Sequence, residues 1–149
     1  QHEAFALTSI KLFKENPFIG VGPNNYRREC NSVILNYFEN PGFFTMRGYK
    51  TENSCSTHPH NIFFQLLSET GSLGIFYYLI ICFFIFYKML KFLFVKKNNE
   101  LELFFILPIF FYLNPFFPSG NFFNNWYTAI SLISLPFYLY LNKKKQSAK

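Results

Sequence analysis

Polar and apolar positions divide the chain at about residue 60. Before that point charges are frequent: Lys11, Lys14, Arg27, Arg28, Arg47 and Lys50 stand among Glu3, Glu15, Glu29, Glu39 and Glu52. Beyond it apolar runs dominate, and from Leu103 to Asn142 there is no Asp, Glu, Lys or Arg. A bilayer's hydrocarbon core is about 30 Å thick, so a spanning helix needs about 20 residues. Three runs are predicted to be such helices. The first belongs to a segment running from 58 to 95; its apolar part starts near Asn61, is uncharged over Gly71–Tyr87, and gives way to Lys88, Lys91, Lys96 and Lys97. The second covers 101–117, where Pro108 and Pro115 predict a kink or an early stop. The third covers 122–142 and stops at Lys143, Lys144 and Lys145, leaving 143–149 as a basic tail.

Residues 1–57 form a separate, mixed region. Within it, 2–15 reads as an amphipathic helix with Phe5, Ala6, Ile10 and Phe13 on one side, ended by Asn16-Pro17. Gly20-Val-Gly-Pro23 is a turn; it lacks the Gly-Lys-Ser/Thr of a phosphate-cradling loop. Further on, Pro59 suits the first position of a helix, which places His58 near its N-cap and His60 and Asn61 in its first turn. Gly71 and Gly74 are expected to allow close helix packing.

Composition sharpens this picture. Of 149 residues 23 are Phe, 10 Tyr and 1 Trp, and only 15% are charged. A soluble domain carries about 25% charge spread over its surface. The long uncharged stretch therefore excludes a soluble enzyme, disorder, and a nucleic-acid binder despite the net charge of +6. The fold class predicted is all-α: part of a polytopic membrane protein, with an outer loop region followed by three transmembrane helices. The start at Gln1 reads as a cut within a longer protein. Lysine-rich short loops stay on the cytoplasmic side. Both lysine clusters then face the cytoplasm, while 1–60 and the turn at 114–125 lie outside.

Cys82 falls inside the first span and packs as a small apolar residue. Cys30 and Cys55 lie in the outer region and either pair, closing a loop of about 25 residues, or stay as two free thiols. The chemistry concentrates at His58-Pro-His-Asn61. A helix start carries about half a positive charge, which attracts phosphate and favours a neutral imidazole, the form a general base requires. Glu69 sits inside the apolar run, where an unpartnered carboxylate is costly, so it is a candidate for substrate contact or for a structural network, and Gln65 lies one turn back on the same face. On a straight helix His60 and Glu69 lie about 180° around and about 13.5 Å along the axis, so they cannot share a metal. Arg27, Arg28 and Arg47 suit bidentate contact with phosphate oxygens. A transporter or channel subunit would place ionisable residues along several spans, and here they collect at one interface.

Three segments resemble the O-antigen ligase and polymerase family of bacterial membrane glycosyltransferases: Asn16-Pro-Phe-Ile-Gly-Val-Gly-Pro-Asn-Asn-Tyr26, His58-Pro-His-Asn-Ile-Phe-Phe-Gln-Leu-Leu-Ser-Glu-Thr-Gly-Ser-Leu-Gly74, and Pro118-Ser-Gly-Asn-Phe-Phe-Asn-Asn-Trp126. The resemblance implies the C-terminal part of a polytopic protein of the bacterial inner membrane, with a periplasmic loop region and a periplasmic active face. It implies transfer of a glycan from an undecaprenyl-diphosphate carrier to an acceptor hydroxyl, without metal or cofactor. That acceptor is lipid A–core in a ligase and another carrier-linked glycan in a polymerase; related enzymes glycosylate protein hydroxyls. By the same resemblance His60 is the catalytic residue, as general base or as the group that orients the acceptor, His58 and Asn61 lie beside it at the substrate, arginines neutralise the diphosphate, and Cys30 pairs with Cys55.

Overall fold

The structure, a computed structural model, describes residues 2–31, 55–94 and 100–147. Arg47 lies outside the described residues. Among the described residues every regular element is helical.

Helix α1 (His2–Glu15) ends where Asn16-Pro17 predicts. Its buried side is Ala4, Phe5, Thr8, Ser9 and Leu12, rather than the stripe through Phe5, Ala6, Ile10 and Phe13. Two polar residues enter this interface without an orphaned group, because their hydroxyls donate back to the Ala4 and Phe5 carbonyls at 3.0 and 2.9 Å. Leu12 then packs with Tyr26 and Cys30 in a small outer core.

Helix α2 (Ile62–Phe94) begins three residues later than Pro59 suggested. Asn61 is the cap: its side-chain oxygen accepts from the Phe64 amide at 3.2 Å. The helix is not straight. Gly71 takes φ 64° and ψ −158°, a region open essentially to glycine alone. In an unbroken helix the Ser68 and Glu69 carbonyls would accept from the Ser72 and Leu73 amides. Here they accept from Val21 and Gly22, both at 2.9 Å, while Ser72 and Leu73 donate to Pro17 and Phe18 at 2.8 and 3.2 Å. The loop 17–22 is thus spliced into the helix, and two intrahelical bonds are replaced by four between segments. Gly20 faces Gly71 across this splice, and a methyl group on Gly20 would stand 2.5 Å from the Glu69 carbonyl carbon. The expectation that Gly71 serves close packing is replaced by a stronger reason for glycine.

Helix α3 (Glu100–Tyr112) continues through Pro108 and ends before Asn114-Pro115. The third apolar run is split into α4 (Asn125–Leu132) and α5 (Ser134–Ser147). Pro136 accounts for the split: it has no amide to offer the Leu132 carbonyl, and it sits in the first turn of α5, where none is needed. Helix α5 runs on past Lys143, so the basic stretch is helical instead of a separate tail.

Among the described residues only α2 is long and apolar enough by itself to cross a membrane, and just 11% of its most apolar stretch is buried. Phe83 is 73% exposed and Phe94 82%. Helix α3 is about 20 Å long, short of the hydrocarbon thickness. It packs antiparallel to α2, with the Tyr78 hydroxyl donating to the Leu113 carbonyl at 2.7 Å, and α5 packs against α3. Ile62, Leu66, Tyr78, Ile85, Ile106, Ile109 and Tyr138 line the core between them. This up-down-up course puts the 115–124 turn beside the start of α2 and sends α5 back toward the end that carries Lys88 and Lys91.

Candidate active site

At the N-terminal end of α2 the chain is held by hydrogen bonds as well as by apolar packing. Pro59 is buried, and His60 follows it with φ 56°, a left-handed conformation that costs a non-glycine residue about 1–2 kcal/mol. Its carbonyl accepts from the Ser119 amide at 2.9 Å. The next side chain, Asn61, donates to the Pro115 carbonyl at 2.7 Å. The 115–119 turn therefore fixes the backbone of the His60–Asn61 pair.

The His60 ring is half-buried. Its Nε2 lies 3.1 Å from the Ser56 hydroxyl, and its face meets Phe5 of α1 at 5.4 Å between ring centroids. His2 approaches edge-on at 6.0 Å and His58 lies 4.2 Å away. His58 Nδ1 is 3.0 Å from the Thr57 hydroxyl, whereas its buried Nε2 has no partner among the described residues. Burial, reinforced by the neighbouring His60 ring, holds His58 below the usual histidine range. The expected grouping of His58, His60 and Asn61 is present, but His60 stands before the helix instead of in its first turn.

A second layer lies beneath. Glu69 is fully buried, and both carboxylate oxygens are taken: one accepts from the Tyr26 amide at 2.9 Å, the other from Gln65 Nε2 at 3.0 Å. Both oxygens of this candidate for substrate contact or a structural network are thus engaged by the protein itself. Gln65, also fully buried, donates to Asn121 Oδ1 at 2.6 Å and accepts from the Phe122 amide at 2.9 Å. Asn121 in turn donates to Asn24 Oδ1 at 3.2 Å. Asn24 and Asn121 were not singled out from the sequence, and Gln65 only as a neighbour of Glu69. The available signal was that each lies in one of the three resembling segments, and these hydrogen bonds join all three. Tyr26, wholly buried, donates its hydroxyl to the Phe5 carbonyl at 3.3 Å and ties α1 to the same layer. Burial pushes that hydroxyl far above its ordinary range, so it stays a neutral donor.

Cys30 and Cys55 form a disulfide with Cα atoms 5.5 Å apart. Cys55 precedes Ser56, so the bridge anchors the residue that touches His60. Arg27 is exposed and lines a polar hollow of about 380 Å³ with Cys30, Asn31, Cys55, Ser56 and Thr57. Arg28 is exposed one residue on, and the structure does not bring it to that hollow.

Comparison with curated proteins and with solved structures gives no match. Residues 4–79, from α1 through both cysteines and His60 to the upper part of α2, match the family described as O-antigen ligase, and the chain belongs to that family of membrane-associated ligase- and polymerase-type enzymes.

Proposed function

We propose that this chain carries the catalytic centre of a glycosyltransferase of the bacterial inner membrane. It moves a glycan from an undecaprenyl-diphosphate carrier to an acceptor hydroxyl on the periplasmic face, with lipid A–core as the acceptor. The observation that carries this reading is the placement of His60. It is held in a left-handed conformation at the outer end of α2, with Ser56 and the Arg27 hollow on one side. The lysines Lys88 and Lys91 lie at the opposite end of the same helix. On the lysine rule that end is cytoplasmic, which leaves His60 outside at headgroup depth, where a lipid diphosphate sits. A disulfide between Cys30 and Cys55 agrees with an oxidising compartment. In this reading α3 and the α4–α5 pair cross beside α2, giving three spans.

The chemistry is an inverting displacement. A neutral His60 ring nitrogen takes the acceptor hydroxyl's proton as that oxygen bonds to the anomeric carbon. The bond from this carbon to the phosphate oxygen breaks, and its electron pair leaves with the diphosphate. Arg27 stabilises the departing charge from the hollow, with Arg28 and Arg47 as further cations, and His58 offers its unpartnered Nε2. Polymerases and protein-glycosylating relatives would use the same atoms with a different hydroxyl.

The test is His60→Ala in the full-length protein. Glycan-bearing lipid should disappear while membrane insertion and the Cys30–Cys55 bond persist. A normal glycolipid ladder in that variant would remove His60 from the chemistry. Lengthened carrier-linked glycan without lipid A–core product would assign the wild-type protein to the polymerases.

A further inference from the structure

We propose that Gln65 is a positioning residue for His60, acting through the 115–122 turn; this rests on the reading of His60 as the base. His60 is held in an unfavourable backbone conformation, and the contacts that hold it come from that turn. Ser119 donates to its carbonyl at 2.9 Å, and the Pro115 carbonyl receives Asn61 Nδ2 at 2.7 Å. Those contacts bind one side of the turn to the start of α2. The other side is bound one helical turn further down, by Gln65 alone among the residues of α2. Its carbonyl oxygen accepts from the Phe122 amide at 2.9 Å, and its amide donates to Asn121 Oδ1 at 2.6 Å. The turn therefore lies along α2 between two clamps about 6 Å apart along the axis, Asn61 above and Gln65 below.

Gln65 suits this work by its chemistry. It must accept from a backbone amide and donate to both Asn121 and Glu69. A glutamate lacks the donors, and a shorter asparagine lacks the reach. Glu69 fixes which way the amide points, because its oxygen at 3.0 Å accepts only from the NH2 side. The same carboxylate holds the Tyr26 amide, so the orientation of Gln65 is set by the splice between loop 17–22 and α2. When the lower clamp is released, the turn is free to shift, Ser119 moves with it, and His60 loses its reason to stay left-handed. The ring then points away from the reacting oxygen. A displacement of this kind lowers the rate of the chemical step and leaves donor binding, which rests on other groups, unchanged.

The experiment uses the full-length protein in vesicles, with carrier-linked glycan as donor. Gln65→Met keeps the volume and removes all three hydrogen bonds. It should lower kcat at least tenfold with the donor KM within about twofold, in protein that inserts and forms its disulfide. Asn121→Leu should match it. Asn121→Asp keeps both bonds accepted by Oδ1, from Gln65 and from the Phe123 amide; the exposed Asn24 can turn its amide to donate to the new oxygen, and the variant should stay within about twofold of wild type. The Asn121 pair decides the matter if Gln65→Met does not fold. Full kcat in Gln65→Met, a rise in KM with kcat intact, or equal loss in Asn121→Asp and Asn121→Leu would each overturn the proposal. Failure of the underlying reading is distinguishable, since it would show as an active His60→Ala.

Discussion

Gly71→Ala puts the splice between loop 17–22 and α2 to the test. Two costs add. The backbone at φ 64° and ψ −158° lies in a region that costs a residue with a side chain about 1–3 kcal/mol. The new methyl group would also stand 2.6 Å from each of three backbone atoms, the Gly20 nitrogen and the Phe18 carbonyl carbon and oxygen. Those atoms have no rotamer by which to withdraw, so the loop must leave. Once it leaves, α2 can straighten and recover two intrahelical bonds, but the four bonds to Pro17, Phe18, Val21 and Gly22 are lost. The straightened helix escapes the strain, so the net loss is those two bonds, about 2 kcal/mol. Denaturant titration of the purified protein in mixed micelles measures this, and proteolysis between residues 16 and 26 reports release of the loop. Ser72→Ala, at an exposed neighbouring position, is the control. If Gly71→Ala unfolded at the same midpoint as Ser72→Ala, with the loop equally protected, the splice would not be holding the two segments together.

Three further outcomes follow from the N-terminal end of α2 and its partners. Cys30→Ser opens a closed loop with a sequence separation of 25 and should cost about 3.5 kcal/mol of unfolding free energy; equal midpoints with and without reductant would contradict this. His58 has its proton affinity lowered on folding, so the unfolded chain binds the proton more tightly. Its stabilising contribution is full above the ordinary value of 6.5 and is lost as pH falls from there through the lower folded value; His58→Gln should flatten that slope between pH 7.5 and 5, and an unchanged slope refutes the assignment. Glu69→Gln turns an acceptor into a donor facing either Gln65 Nε2 or the Tyr26 amide, a cost of about 1–3 kcal/mol read from the same titration, and a neutral result would mean the carboxylate is not the acceptor for both.

Local signals in the sequence were read correctly where the physics is local. Asn16-Pro17 ends α1 because the residue before a proline avoids the helical region, and the apolar run after Asn61 gives α2 almost to the residue. The pair of imidazoles beside Asn61 was also visible. The helix start was misplaced because two signals compete there: Pro59 suits a first turn, but Asn61 supplies a side-chain acceptor at the right distance and the helix begins after it. The break at Gly71 was invisible, since a glycine in an apolar run looks the same whether it packs against a helix or bends one. What settles it is the arrival of Val21 and Gly22 from about fifty residues away in sequence. Pro136 carried a readable signal, a missing amide in the middle of a predicted span, and it divides α4 from α5. Glu69 and Gln65 were seen as neighbours on one face, yet their partners Tyr26 and Asn121 come from other segments, and no periodicity reports them.

The disulfide has a consequence for how such a protein changes over generations. Its two ends meet with Cα atoms 5.5 Å apart, and each end is tied independently to the layer below, Cys30 through Tyr26 and Cys55 through Ser56 and His60. Doubling the length of a loop closed at its base in this way costs about 0.6 kcal/mol of closure entropy, less than one good hydrogen bond. The number of residues between Cys30 and Cys55 can therefore drift from one generation of sequences to the next while the two ends stay where they are, beside His60.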